Sequence, residues 1–182
     1  MPEAVCLCQL ASIPIRSRVL VLVHHIEAFK TTNTGRLAKL ALGADFERWG
    51  LPDRPLPTLP DGPLLLLFPF DEARELCAAD AQSGATLVVP DGNWPQARKI
   101  ARRVGAHPLV TRVKLADHES HYGLRRTERT NALSTFESIA HALAILEGQR
   151  GPEVARECLS MFDAFVARHT TFTAGPQRSN EP

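Results

Sequence analysis

Ala85-Thr86-Leu87-Val88-Val89-Pro90-Asp91-Gly92-Asn93-Trp94-Pro95-Gln96-Ala97-Arg98 is the stretch that decides the fold. Its β-branched apolar run has the length of a buried strand, and Pro95 fits the first turn of a helix, where its missing N–H costs nothing. Between the two, a carboxylate, a glycine, an amide and an indole occupy one strand-to-helix turn. Ligands of open α/β sheets bind in the crevice beyond the carboxyl ends of the strands, so Asp91 and Trp94 stand where a ligand is touched. Asp91 ahead of a helix also has a plain alternative role as its cap, and Trp94 as a core side chain.

Working outward, the same strand-then-helix grammar repeats. Arg18 to Val23 is a near-continuous apolar run, the pattern of a parallel strand covered on both faces, and it ends at His24-His25. The polar loop Thr31-Thr32-Asn33-Thr34-Gly35 leads into Arg36 to Leu42 with helical spacing, stopped by Gly43. Phe46 to Gly50 allows a short strand, the Pro-rich stretch Leu51 to Pro63 reads as an extended loop, and Leu64 to Phe68 as the next buried strand. Pro69 to Gln82, acidic in its first turn, predicts a helix. After the elbow comes a basic helix carrying Arg98, Lys99, Arg102 and Arg103, closed by Gly105, and then His107 to Leu115 reads as another strand.

Ala116 to Arg129 lacks periodicity and is dense in His, Arg, Tyr and Gly, which marks a functional loop. Ser134-Thr135-Phe136-Glu137 has the S/T-x-x-E capping signature, followed by an apolar stripe through Ile139, Ala142, Leu143 and Leu146. Gly151-Pro152 punctuates, and Val154 to Arg168 forms a last amphipathic helix. The expected architecture is a single α/β domain over residues 1–175, a mostly parallel sheet flanked by helices, with a disordered tail at 176–182.

A chain of 182 residues with 44% hydrophobic content buries a core without disulfides or metal. A formal charge of +1 confines any nucleic-acid contact to a local basic face. The apolar run at Leu64 to Phe68 is too short to span a bilayer, and no charged leader precedes an apolar run near Met1, so the expectation is a cytoplasmic protein with reduced thiols and no membrane partner. His118 and His121 lack further ligands nearby and read as loop histidines, and His24 as a structural strand-end residue. No metal site is expected. G-x-G-x-x-G, Walker, G-x-S-x-G and H-E-x-x-H patterns are all absent, which removes the usual support for dinucleotide, nucleoside-triphosphate, serine-hydrolase and zincin chemistry.

Cys6-x-Cys8, Asn33-Thr34-Gly35-Arg36, Phe68-Pro69, Asp91-Gly92-Asn93-Trp94, Leu124-Arg125 and Leu133-Ser134-Thr135-Phe136-Glu137, in that order, resemble the motifs of the DTW-domain family. The family motif is Asp-x-Thr-Trp, and Asn93 stands here in place of threonine. Its earlier cysteine pair has no room before Cys6, so a four-thiol zinc site cannot be assembled locally.

The resemblance implies a SPOUT-like fold with a C-terminal trefoil knot, S-adenosylmethionine as cofactor, and tRNA as partner. The implied reaction moves the 3-amino-3-carboxypropyl group to uridine N3 and releases methylthioadenosine. Asp91 is then the base for N3 and Trp94 a stacking face, giving two catalytic positions. Phe68, Pro69, Asp91, Leu124, Arg125, Ser134, Thr135 and Glu137 become cofactor contacts, with Arg125 on the carboxylate of the transferred group and Glu137 or Asp91 on its ammonium. Asn33, Thr34, Arg36, Arg98, Lys99, Arg102 and Arg126 become the RNA-facing set. Methyl transfer on the same fold, and an RNA-binding module without catalysis, are the rival readings.

Overall fold

The computed structural model describes residues 12–50, 59–116 and 133–174. Cys6, Cys8, the first part of the Pro-rich loop, the 117–132 loop with Leu124, Arg125, Arg126, His118 and His121, and the 176–182 tail lie outside the described residues.

Among the described residues there are six strands: β1 (Arg18–His24), β2 (Asp45–Trp49), β3 (Leu64–Leu67), β4 (Arg74–Glu75), β5 (Thr86–Asp91) and β6 (Val110–Lys114). Four helices accompany them: α1 (Gly35–Leu42), α2 (Trp94–Val104), α3 (Thr135–Leu146) and α4 (Gly151–Ala174). The strands form one sheet in the order β2-β1-β5-β3-β6-β4, and every neighbouring pair is parallel. β3 and β5 are buried along their whole length and β1 over its centre, because helices cover both faces.

Side-chain alternation divides the strands between two cores. Val19, Val21, Leu65, Leu67, Leu87 and Val89 pack against α1, α3 and α4 through residues such as Leu37, Phe136, Ile139, Leu143 and Phe162. Leu20, Leu22, Leu64, Leu66 and Val88 face Ala97, Ile100, Ala101 and Val104 of α2. The α/β expectation thus holds, with α2 the one helix on its side among the described residues.

The register shows where the sheet opens. β1 stays paired with β5 as far as Asp91, whereas β3 pairs with β5 only as far as Val88. Pro90 lies on the stretch that β3 has already left, where a missing N–H is tolerated. The carboxyl ends of β3 and β5 therefore part, and the elbow rises beside the gap.

Two elements differ from the sequence reading. The helix expected over Pro69 to Gln82 is instead the two-residue strand β4 and a 3-10 turn, Ala78–Gln82. Only Ala73, Leu76 and Asp80 are buried there, so no apolar stripe holds a helix against the core. Arg74 and Asp80 pair at 2.6 Å, and Asp80 also accepts from the backbone N–H of Cys77 at 2.9 Å. The last helix begins earlier than expected: Gly151-Pro152 opens α4, with proline in the first turn where helices accept it. A Cβ on Gly151 would strike the backbone carbonyl of Ala144, so glycine lets α4 pass close to α3.

Candidate functional site

Asp91 ends β5 with 3% of its surface exposed. Its Oδ2 accepts a hydrogen bond of 2.5 Å from Nδ2 of Asn33, and its Oδ1 one of 2.5 Å from the Thr135 hydroxyl. Asn33 closes the loop between β1 and α1, and its Oδ1 accepts from the backbone N–H of Arg36 at 2.9 Å. Thr135 is the first residue of α3. One carboxylate thereby joins the β1–α1 loop, the elbow and the start of α3. The N-terminal ends of two helices flank it, and their dipoles favour negative charge. Gly35 makes room: a Cβ there would lie 2.8 Å from Oδ2 of Asp91 and 3.0 Å from Cγ1 of Val21.

The alternative role of Asp91 as the cap of α2 belongs instead to Asn93. The Asn93 side chain accepts from the N–H of Gln96 at 3.0 Å, and the Gln96 side chain accepts from the N–H of Asn93 at 2.8 Å. That reciprocal capping box explains the residue type, since asparagine and threonine both serve as N-caps. Trp94 is half-buried, 5.0 Å from the buried Phe68 ring, and packs on the α2-side core. Phe70 lies 4.8 Å from Phe68 on its other flank, while Pro69 is exposed. The indole thus packs and still keeps part of its surface at the opening.

At α3 the capping signature is realised. Ser134 Oγ accepts from the Glu137 N–H at 3.2 Å, and Glu137 Oε2 accepts from the Ser134 N–H at 2.8 Å. Both are buried. Thr135, less buried than either, turns to Asp91, a link that neither local motif announced.

The RNA-facing candidates divide. Arg98, Lys99 and Arg102 are exposed along α2. Arg36 is tied inward, its guanidinium donating to the Ala28 carbonyl at 2.7 Å, and Thr34 is buried beside the α1 start. Leu124, Arg125 and Arg126 lie outside the described residues.

Beside the site, His24 and His25 stack at 4.6 Å, and the Nδ1 of each is buried without a hydrogen-bond partner among the described residues. Burial first, and the neighbouring His25 next, push the His24 imidazole below the usual histidine range; Glu27 pulls the other way, and Lys99 adds a weaker downward push. Nothing in the order His-His signalled this. Trp49, 6.1 Å from His24, was likewise passed over by sequence reasoning, as were Phe29 and Arg48.

No helix among the described residues is long and apolar enough to cross a membrane. The fold resembles that of the SAM-dependent rRNA:acp-transferase Tsr3 from Vulcanisaeta distributa, with a TM-score of 0.55, 18% identity, and coverage of 85% of this chain and 80% of that one. In sequence the chain is 31% identical to tRNA-uridine aminocarboxypropyltransferase 2 of Drosophila melanogaster, covering 81% of this chain. It spans 64% of that relative's length. The DTW domain model matches residues 1–170, and the chain belongs to the DTW-domain family.

Proposed function

We propose that the chain is a cytoplasmic tRNA-uridine aminocarboxypropyltransferase that consumes S-adenosylmethionine and places its 3-amino-3-carboxypropyl group on N3 of a uridine. Family membership and the names of the relatives supply the reaction class. The observation that carries it to these residues is the Asp91 carboxylate, buried between two helix starts at the mouth where β3 and β5 part. The free thiols of Cys77 and Cys158 suit a reducing compartment.

The residues fit the donor. A sulfonium needs negative potential, which Asp91 supplies, and an aromatic face, which the Phe68–Trp94 pair offers at the opening. The donor contributes a carbon activated by the attached sulfonium. The chain's task is to orient uridine and remove the N3 proton while the N3–carbon bond forms and the carbon–sulfur bond breaks, its electron pair leaving with methylthioadenosine.

Asp91 stands at the mouth with Oδ1 bonded by the Thr135 hydroxyl and Oδ2 by the Asn33 amide. At 3% exposure it is reached only by a base that enters the crevice or through a more accessible neighbour. Thr135 is that neighbour: its hydroxyl takes the N3 proton as its own passes to Oδ1 of Asp91. Trp94 then stacks the uracil, while Arg98, Lys99 and Arg102 meet phosphates.

Incubation of the protein with unmodified tRNA and S-adenosylmethionine, followed by mass spectrometry, tests the reading. Methylthioadenosine with a 3-amino-3-carboxypropyl uridine is expected. S-adenosylhomocysteine would establish methyl transfer instead, and RNA binding without either product would establish a binding module. Asp91→Asn lowers turnover about 10²- to 10⁴-fold if the carboxylate is the final proton acceptor.

A further inference from the structure

The turn after β1 presents two large apolar side chains to water: Ile26 is 54% exposed and Phe29 66%. The Phe29 ring has a cation on one face, with the Arg48 guanidinium carbon 4.7 Å from its centroid. The next residue of β2, Trp49, carries a second such pair, with Lys99 Nζ 5.6 Å from the indole centroid and His24 at 6.1 Å. Successive strand residues point to opposite faces, so the two aromatic–cation pairs flank the carboxyl end of β2 at the rim of the sheet. This is the same rim on which Asp91 stands, since Val23, one position before His24, is paired with Asp91.

The Phe29 turn is also held firmly. Lys30 Nζ pairs with Glu27 at 2.6 Å, the Lys30 N–H bonds the Glu27 carbonyl at 3.0 Å, and Arg36 Nη2 bonds the Ala28 carbonyl at 2.7 Å. The Arg36 backbone N–H donates to Asn33 Oδ1, and Asn33 Nδ2 donates to Asp91. A continuous chain of hydrogen bonds therefore ties the exposed ring to the buried carboxylate. Such a platform loses little conformational freedom when something lands on it.

We infer that the Phe29–Arg48 and Trp49–Lys99 pairs form a stacking strip for unpaired nucleotides flanking the target uridine of the RNA substrate; the inference rests on the RNA-modifying reading above. Aromatic rings and guanidinium planes accept the faces of unstacked bases, whereas paired bases in an A-form duplex do not offer theirs. The cations beside the rings match the phosphates that accompany each base. An apolar protein surface would cover the rings but leave Arg48 and Lys99 without counter-charge.

Fluorescence anisotropy at fixed low salt, with a single-stranded oligoribonucleotide and its duplex of equal length, tests the strip. Phe29→Ala is expected to weaken single-strand binding about 5- to 100-fold, the range for one lost base stack, and to leave duplex binding unchanged. Phe29→Trp restores it. Arg48→Ala weakens binding and lowers the slope of log affinity against log salt by about 1. Thermal melting serves as the folding control, since an exposed ring contributes little to the core. Single-strand affinity of Phe29→Ala equal to wild type would overturn the strip, as would equal losses on single strand and duplex. A wild type that makes no methylthioadenosine but still loses RNA affinity on Phe29→Ala supports the strip and removes only the transferase reading.

Discussion

Asn33 and Asp91, 58 positions apart in the chain, meet through a hydrogen bond of 2.5 Å in which both partners are almost wholly buried. The amide has two jobs, because its oxygen caps the N–H of Arg36 while its nitrogen satisfies the carboxylate. Removing it by Asn33→Ala leaves a buried charge short of one donor and α1 short of a cap. A loss of about 1–3 kcal/mol is expected in urea denaturation. Asn33→Asp sets two carboxylates together, so its stability should rise as pH falls through the range in which the pair comes to share a proton. A wild-type urea midpoint for Asn33→Ala would show that the bond contributes nothing.

Gly35 makes the companion prediction. Its backbone φ is not positive, so the need for glycine is spatial: an added methyl meets Asp91 and Val21 at 2.8 and 3.0 Å. Both neighbours are buried and neither is the end of a long flexible chain. Gly35→Ala is expected to cost about 1–3 kcal/mol from overpacking and to lower turnover, because the carboxylate must shift off its two donors. Comparing the variant's melting temperature with its rate separates the two effects: a melting temperature and a rate both equal to wild type would refute the spatial argument.

What the sequence disclosed follows from what is local. Buried parallel strands announce themselves by continuous apolar runs, so Arg18–His24, Leu64–Leu67 and Thr86–Asp91 were legible, and so was the Ser134–Glu137 capping box, whereas the cap of α2, weighed at Asp91, belongs to Asn93. The Pro69 to Gln82 stretch misled because acidic residues after a proline mimic a helix start, while the pairing of Arg74 with Val113 of β6 depends on a partner that no local window contains. The place of Asp91 at the end of a strand, just before the elbow, was legible. That Asn33 and Thr135 hold it was not, since contacts 58 and 44 positions apart leave no periodic trace.

Asn93 stands where the family motif has threonine, and its geometry predicts that the exchange is mild. The side chain is exposed, and its oxygen bonds the N–H of Gln96 rather than turning toward Asp91. Asn93→Thr should therefore keep the cap, shift stability by no more than about 0.5 kcal/mol and leave turnover near wild type, whereas Asn93→Ala should cost about 1 kcal/mol. A large change in rate for Asn93→Thr, with stability unaltered, would assign the side chain to the chemistry instead.

The proton acceptor route makes a sharper demand on Thr135. Thr135→Ser keeps a hydroxyl on Oδ1 of Asp91, while Thr135→Val keeps the shape and removes the donor. A relay through this hydroxyl requires the serine variant to retain most of its turnover and the valine variant to lose about 10²-fold or more, with little change in the affinity for RNA. Equal turnover for serine and valine would leave Asp91 to meet N3 directly.

Two carboxylates away from the site contribute to acid stability. The Arg74 guanidinium beside Asp80 holds its carboxyl down at about 2, outweighing the upward push of burial, and bonds from the Cys77 N–H and thiol add to the effect. Burial would raise the Glu147 carboxyl, but the Ser17 and Arg16 N–H groups bonded to it bring it below the usual range. Both groups titrate lower folded than unfolded, so their stabilisation is fully present above the ordinary carboxylate range and is lost as pH falls through their folded values. Because Arg74 is 46% exposed and screened by solvent, the Asp80 share is about 1 kcal/mol. Urea denaturation of Asp80→Asn should thus show a deficit of that order at pH 7 that closes near pH 2. A deficit that stays constant across this interval would mean the loss comes from packing of the 3-10 turn and not from the ion pair.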